Sequence, residues 1–219
     1  MKGLRDNGLT IVLVAATAAS LIGMSMTGLA VYNGELAQHH RHAVSFAAYL
    51  ASGHFLSALF ENWESEFLQM SAYVVLTAFF FQRGSAESKD PDAAAGDDGD
   101  PAAHAGDPGA PLPVRLGGLP ARLYAYSLGI ALFALFLMSF ALHLQHSATA
   151  AAVEAMNHGR PAPTILQHAA SAEFWFESFQ NWQSEFLSTA VLVVLSIFLR
   201  FRGSPESKPV ATPHSKTGG

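Results

Sequence analysis

The sequence predicts an all-α, polytopic membrane protein with four transmembrane helices arranged as two parallel-oriented tandem repeats. Three observations carry that prediction. The composition is apolar, the apolar residues fall in long uncharged runs, and one polar motif occurs twice. Half of the 219 residues are hydrophobic, 13% are charged and the net charge is −5, while the mean hydropathy is +0.24.

Leu9 to Tyr32 and Leu123 to Leu144 contain no charged residue over 24 and 22 positions. A helix rising about 1.5 Å per residue crosses a hydrocarbon core about 30 Å thick in about 20 residues, so both runs suffice. Phe67 to Phe81 and Phe186 to Leu199 are shorter. They become spans if their helices begin upstream, near Asn62 and Asn181, with Trp63 and Trp182 as anchors at headgroup depth. The expected spans are therefore 9–32, 62–82, 123–144 and 181–201.

A basic start and a small-residue site at Gly28-Leu29-Ala30 also resemble a signal peptide. The repeat argues against that reading, because the first run has an internal counterpart. Absence of cysteine excludes disulfides and thiolate chemistry.

The repeat is exact in spacing. Glu61-Asn62-Trp63-Glu64-Ser65-Glu66-Phe67-Leu68 returns as Gln180-Asn181-Trp182-Gln183-Ser184-Glu185-Phe186-Leu187. Arg83-Gly84-Ser85-Ala86-Glu87-Ser88-Lys89 returns as Arg202-Gly203-Ser204-Pro205-Glu206-Ser207-Lys208. Both matches share one offset, 180 − 61 = 202 − 83 = 119, and 16 of the 29 positions from 61 to 89 are identical. More faintly, Glu35 pairs with Glu154, His39 with His158 and Phe55 with Phe174. Residues 1–90 and 121–209 are thus read as two copies, each a span, a loop, a short amphipathic helix and a returning span. With an even number of spans per copy, the two share one orientation.

Between the copies, residues 91–120 are rich in Ala, Gly, Pro and Asp. They read as a disordered cytoplasmic linker, and residues 210–219 as a disordered tail. With both termini inside, ten of the twelve Lys and Arg residues are cytoplasmic and only Arg41 and Arg160 lie outside, a strong positive-inside signal. Arg83 and Arg202 then suit the inner interface as snorkelling anchors, with Gly84 and Gly203 as helix C-caps.

The paired Asn-Trp-x-Ser-Glu-Phe-Leu and Arg-Gly-Ser-x-Glu-Ser-Lys motifs resemble those of a bacterial integral-membrane protein family of unknown function. The resemblance covers all but the linker and tail and implies a multi-pass protein of the cell inner membrane. It brings no activity, cofactor or site residue with it.

Polar residues inside the returning spans are the candidate site. Asn62, Glu66, Gln69, Tyr73 and Thr77 recur at helical spacing, as do Asn181, Glu185, Ser188 and Ser196. Polar side chains within a span face the bundle interior or a water-filled cavity. Asn62, Glu66, Gln69, Asn181, Glu185 and Ser188 are therefore expected to hold a cation or small polar ligand between the repeats, near the outer face. The bland alternative is helix capping and interhelical hydrogen bonding.

Eight of the ten histidines are expected outside, where the formal charge is −8 + 2 = −6 with neutral imidazoles. Such a surface can sense acidity or bind metal. His39 and His158 are the one matched pair and so the metal candidates, on weak spacing.

Nucleotide loops, zinc-protease helices and nucleophile elbows are missing, so neither catalysis nor a cofactor is expected. The partners expected are the lipid bilayer and a cytoplasmic or membrane protein, with no nucleic acid. The competing function is an envelope adaptor without transport, since the inner halves, Val74 to Phe81 and Leu192 to Leu199, are almost wholly apolar.

Overall fold

The computed structural model of the chain describes residues 6–92 and 100–218. Lys2 and Arg5 of the charge argument, the 93–99 part of the linker and the last residue lie outside the described residues. Among those described there are helices and no strand.

The first helix, α1 (Gly8–Gln38), is 31 residues long. It stops because the next three residues close a tight cap, in which Arg41 N donates to Leu36 O at 2.8 Å and His40 N to Ala37 O at 3.0 Å. Such a cap requires a left-handed residue, and His40 supplies it at φ 56°. A short helix α2 (Phe46–Leu50) follows, N-capped by Ser45. Next comes α3 (Gly53–Phe79), where Ser52 Oγ accepts the Phe55 N–H at 3.2 Å.

Two short helices, α4 (Leu112–Leu116) and α5 (Gly118–Ala125), precede α6 (Ser127–Asn157). The cap closing α6 repeats that of α1, with Arg160 N on Ala155 O at 2.8 Å and glycine, Gly159, at φ 64°. Beyond it lie α7 (Ile165–Ala169), with a Thr164–Gln167 capping box, and α8 (Ala172–Phe198), with Ser171 at its start. Matching helices begin at one spacing: 127 − 8 = 165 − 46 = 172 − 53 = 119.

Two helices, α1 and α6, are long and apolar enough to cross a membrane, with mean hydropathies of 2.0 and 2.1. Only 6% and 11% of their most apolar windows are buried by the rest of the chain. A soluble core helix would be covered; these leave Leu9, Val12, Ile22, Met26, Leu128 and Leu137 exposed.

The helix bounds differ from the sequence reading in three places. Short helices do precede the Asn-Trp motifs, as α2 and α7. However, α3 and α8 begin at Gly53 and Ala172, upstream of the span starts expected at 62 and 181. They run on unbroken, since neither Gly nor Pro occurs between 54 and 83 or between 173 and 202. Secondly, the 123–144 run is divided at Tyr126, where α5 ends. Thirdly, residues beyond 100 and in the tail, read as disordered, are folded. Pro101–His104 forms a 3-10 turn packed on α4 and α5. The tail residues 212–217 wrap the buried ammonium of Lys208, which donates to the carbonyls of Gly84, His214 (3.0 Å) and Lys216 (2.8 Å). Burial, and then the Arg200 charge, hold that ammonium below its ordinary pKa.

Two compact units emerge, and they are not the two sequence copies. One comprises Met1–Phe60 and Ala141–Trp175, the other Glu61–Phe140 and Phe176–Gly219, so each draws on both copies.

In the first unit the core is built on Tyr49, Phe55 and Phe174, all buried. The Tyr49 ring lies against Gly28, where a Cβ would collide with its hydroxyl. At the equivalent positions, 28 + 119 and 49 + 119, stand Ser147 and His168, buried and hydrogen-bonded at 2.7 Å. A large ring over glycine in one copy is thus replaced by a smaller ring plus a hydroxyl in the other.

Candidate functional site

All six sequence candidates fall in the second unit, on α3 and α8. The polar contacts across these helices form a seam. Its first member joins Asn181 to Glu61, the Asn181 amide donating to the carboxylate and also to Glu177 O at 3.2 Å. One turn on, the Trp182 indole N–H donates to Glu64 Oε1 at 2.8 Å, and Glu64 is wholly buried. Next, the Gln69 amide donates to Thr189 Oγ1 and to Glu185 O at 3.3 Å. Glu66 and Glu185 lie close enough for their charges to repel.

Asn181 and Gln69 thus bond across to the facing helix, Glu185 accepts through its backbone carbonyl, and Glu66 sits beside Glu185. Asn62 is exposed, and its carbonyl accepts from Ser65 Oγ at 2.9 Å. Ser188 is also exposed, its hydroxyl bonded to Glu185 O at 2.9 Å. Their places are taken by Glu61, Glu64 and Thr189, which the sequence reading left out of the site.

The α3 residues that bond to α8 are Glu61, Glu64 and Gln69, while the Ser65 hydroxyl turns back to Asn62 O. Counting from Asn62 instead rotated the predicted stripe by one residue at its start. Glu64 had a signal: it neighbours the repeated Trp, and its counterpart Gln183 is polar too. Of the expected anchors, Trp63 is partly exposed, whereas Trp182 is half-buried on Glu64. Arg83 pairs with Asp92 at 2.6 Å, and Arg202 is exposed.

The seam ends in a second polar cluster, which explains the repeated Glu-Ser-Lys. In both copies the motif closes on itself. Ser85 Oγ accepts Glu87 N and Ser204 Oγ accepts Glu206 N, at 3.1 and 3.2 Å. Ser88 and Ser207 accept the N–H of Gln82 and Phe201, both at 2.9 Å. The two turns bring Glu87 and Glu206 into a shared hydrogen bond, and the Tyr73 hydroxyl donates to Glu87 Oε2 at 3.1 Å.

Burial, then that hydrogen bond and the Glu206 charge, raise the Glu87 carboxyl above its ordinary 4.5, with the Tyr73 bond opposing. A carboxyl raised on folding contributes stability that is complete below 4.5 and lost as pH rises through the raised value. The melting temperature of the intact protein should therefore fall more steeply above pH 4.5 than that of Glu87→Gln, as followed by circular dichroism. Parallel pH profiles would contradict the assignment.

In the first unit, His39 and His158 do come together, their rings edge to face with centroids 5.5 Å apart. His158 Nε2 is bonded to Glu154 Oε1 at 2.7 Å. No cluster of three or more His, Cys, Asp or Glu side chains suited to a metal occurs among the described residues.

Fold and seam together define a helical protein in which two helices are able to cross a membrane and two others are joined by part-buried polar contacts. The chain belongs to the family described as Domain of unknown function (DUF6766), which matches residues 1–219. Neither the curated proteins nor the solved structures contain a match.

Proposed function

We propose that the chain crosses the bacterial inner membrane four times, as two like-oriented copies with cytoplasmic termini, and binds a cation or small polar ligand in the α3–α8 seam. Equal helix spacing and the ten-to-two charge split support the topology. The observation that carries the function is Glu64, an ionisable side chain that is fully buried in α3 and accepts the Trp182 indole N–H. Carboxylates at such places mark ion or proton pathways, because desolvating them is costly. The Tyr73–Glu87–Glu206 cluster supplies polar groups at the far ends of the apolar inner halves that had argued for an adaptor.

The adaptor reading draws on one feature, an open groove of about 480 Å³ lined by Thr77, Ala86, Glu87 and Lys89, which suits a cytoplasmic partner. Melting temperatures with and without sodium, potassium and magnesium, across pH, separate the readings. A ligand seam predicts a cation- or pH-linked shift that Glu64→Gln or Glu185→Gln each abolishes, with no further loss in the double variant. A structural seam predicts additive losses of about 0.6–1.7 kcal/mol per interhelical bond and no linked shift.

A further inference from the structure

We propose that His39 and His158 form an open binding site for a divalent transition-metal ion of the zinc, nickel or copper class. The two histidines follow the last turns of α1 and α6 in the same backbone cap. His39 N donates to Glu35 O and Leu36 O, and His158 N to Glu154 O and Ala155 O, all at 3.1–3.2 Å. Identical caps hold the two imidazoles as equivalent groups on helix ends, which is firmer than a free loop.

The ring separation suits one shared ion. Zinc sits about 2.0–2.1 Å from an imidazole nitrogen and therefore about 3.2 Å from the ring centre. Two rings at the tetrahedral angle of about 109° then have centres about 5.2 Å apart. The observed centroids are 5.5 Å apart with the ring planes at 90°, so the separation fits a shared ion once the ring that presents its face turns its edge toward the other.

One ring is already set for ligation. Metal-bound histidine commonly donates its second N–H to a carboxylate, which fixes the tautomer and raises basicity. His158 Nε2 and Glu154 Oε1 make that bond at 2.7 Å, leaving Nδ1 for the ion. Glu35 stands four residues before His39, as Glu154 does before His158, and now lies 3.8 Å from His54 Nε2.

Imidazole pairs select borderline transition ions over calcium and magnesium, which take oxygen ligands. With no cluster of three or more ligands among the described residues, water fills the other positions. Occupancy is then reversible, as suits capture or sensing and not a structural clamp.

The test is titration of the purified full chain, in detergent, with zinc alone and with magnesium alone, read by calorimetry. One zinc and no magnesium should bind at this site. His39→Gln and His158→Gln should each weaken zinc at least about 10-fold, the double variant little more, and Glu154→Gln by about 10-fold or more. Metal-free melting should be unchanged in all of them, which separates ligand loss from misfolding. His42→Gln and Glu64→Gln should leave zinc binding intact, so the seam can fail without touching this site. Absence of zinc binding, or undiminished binding in the double histidine variant, overturns the proposal.

Discussion

Gly84→Ala should destabilise the protein by about 2–4 kcal/mol, while the matching Gly203→Ala costs only about 1–2 kcal/mol. Both glycines occupy the same motif position and the same left-handed conformation, φ 86°. Each substitution therefore incurs the left-handed penalty of an L-residue, about 1–2 kcal/mol. They differ in surroundings. A Cβ on Gly84 would lie 2.7 Å from His214 O and 3.1 Å from Ile197 Cγ2, whereas nothing lies within 4 Å of one on Gly203. The extra loss at Gly84 measures how firmly the tail is seated, because His214 O also accepts from the Lys208 ammonium. Denaturant unfolding of the two variants reads the difference directly. Equal losses would mean that the tail does not rest on Gly84.

The second large effect is a compensation within the repeat. His168→Tyr alone forces a larger ring against Ser147 and should cost about 1–3 kcal/mol through overpacking. Ser147→Gly alone removes a buried hydrogen-bond partner from His168 Nε2 and adds a helix-interior glycine, costing about 1–3 kcal/mol. The double variant reproduces the Gly28–Tyr49 arrangement already present in the other copy. Its loss should fall well below the sum of the two, with a coupling of about 1–2 kcal/mol, since contacting residues are non-additive. Thermal melts of the four proteins supply the cycle. Simple additivity would show that the two sites do not share one packing solution.

What the sequence made legible was periodic and local. The apolar runs locate α1 and α6, and the motif offset of 119 anticipates the common spacing of the helix starts. Helix starts at Ser45, Ser52, Thr164 and Ser171 follow ordinary capping chemistry. Less accessible was anything depending on which face of a helix meets another. Asn62 and Glu66 obey helical spacing as well as Glu61 and Glu64 do, and only packing chooses between the two stripes.

The partner of the buried Glu64 carboxylate is Trp182, which is 118 residues away. Backbone acceptors were invisible too. The carbonyls around Lys208 come from a tail whose composition reads as disordered, because no side-chain pattern announces a carbonyl cage. His39 and His158 were legible as equivalents, yet their edge-to-face approach required the helix ends that carry them.

The central claim is that four helices cross the membrane with both termini and the linker on the cytoplasmic side. The chain contains no cysteine, so single cysteines placed at Ala43, Ala162, Gly106 and Ser215 report without background. In intact cells, a membrane-impermeant maleimide should label positions 43 and 162, and should reach 106 and 215 only after the membrane is opened. Labelling of position 106 from outside would contradict the account, since it would place the linker beyond the membrane and reverse the charge split on which the topology rests.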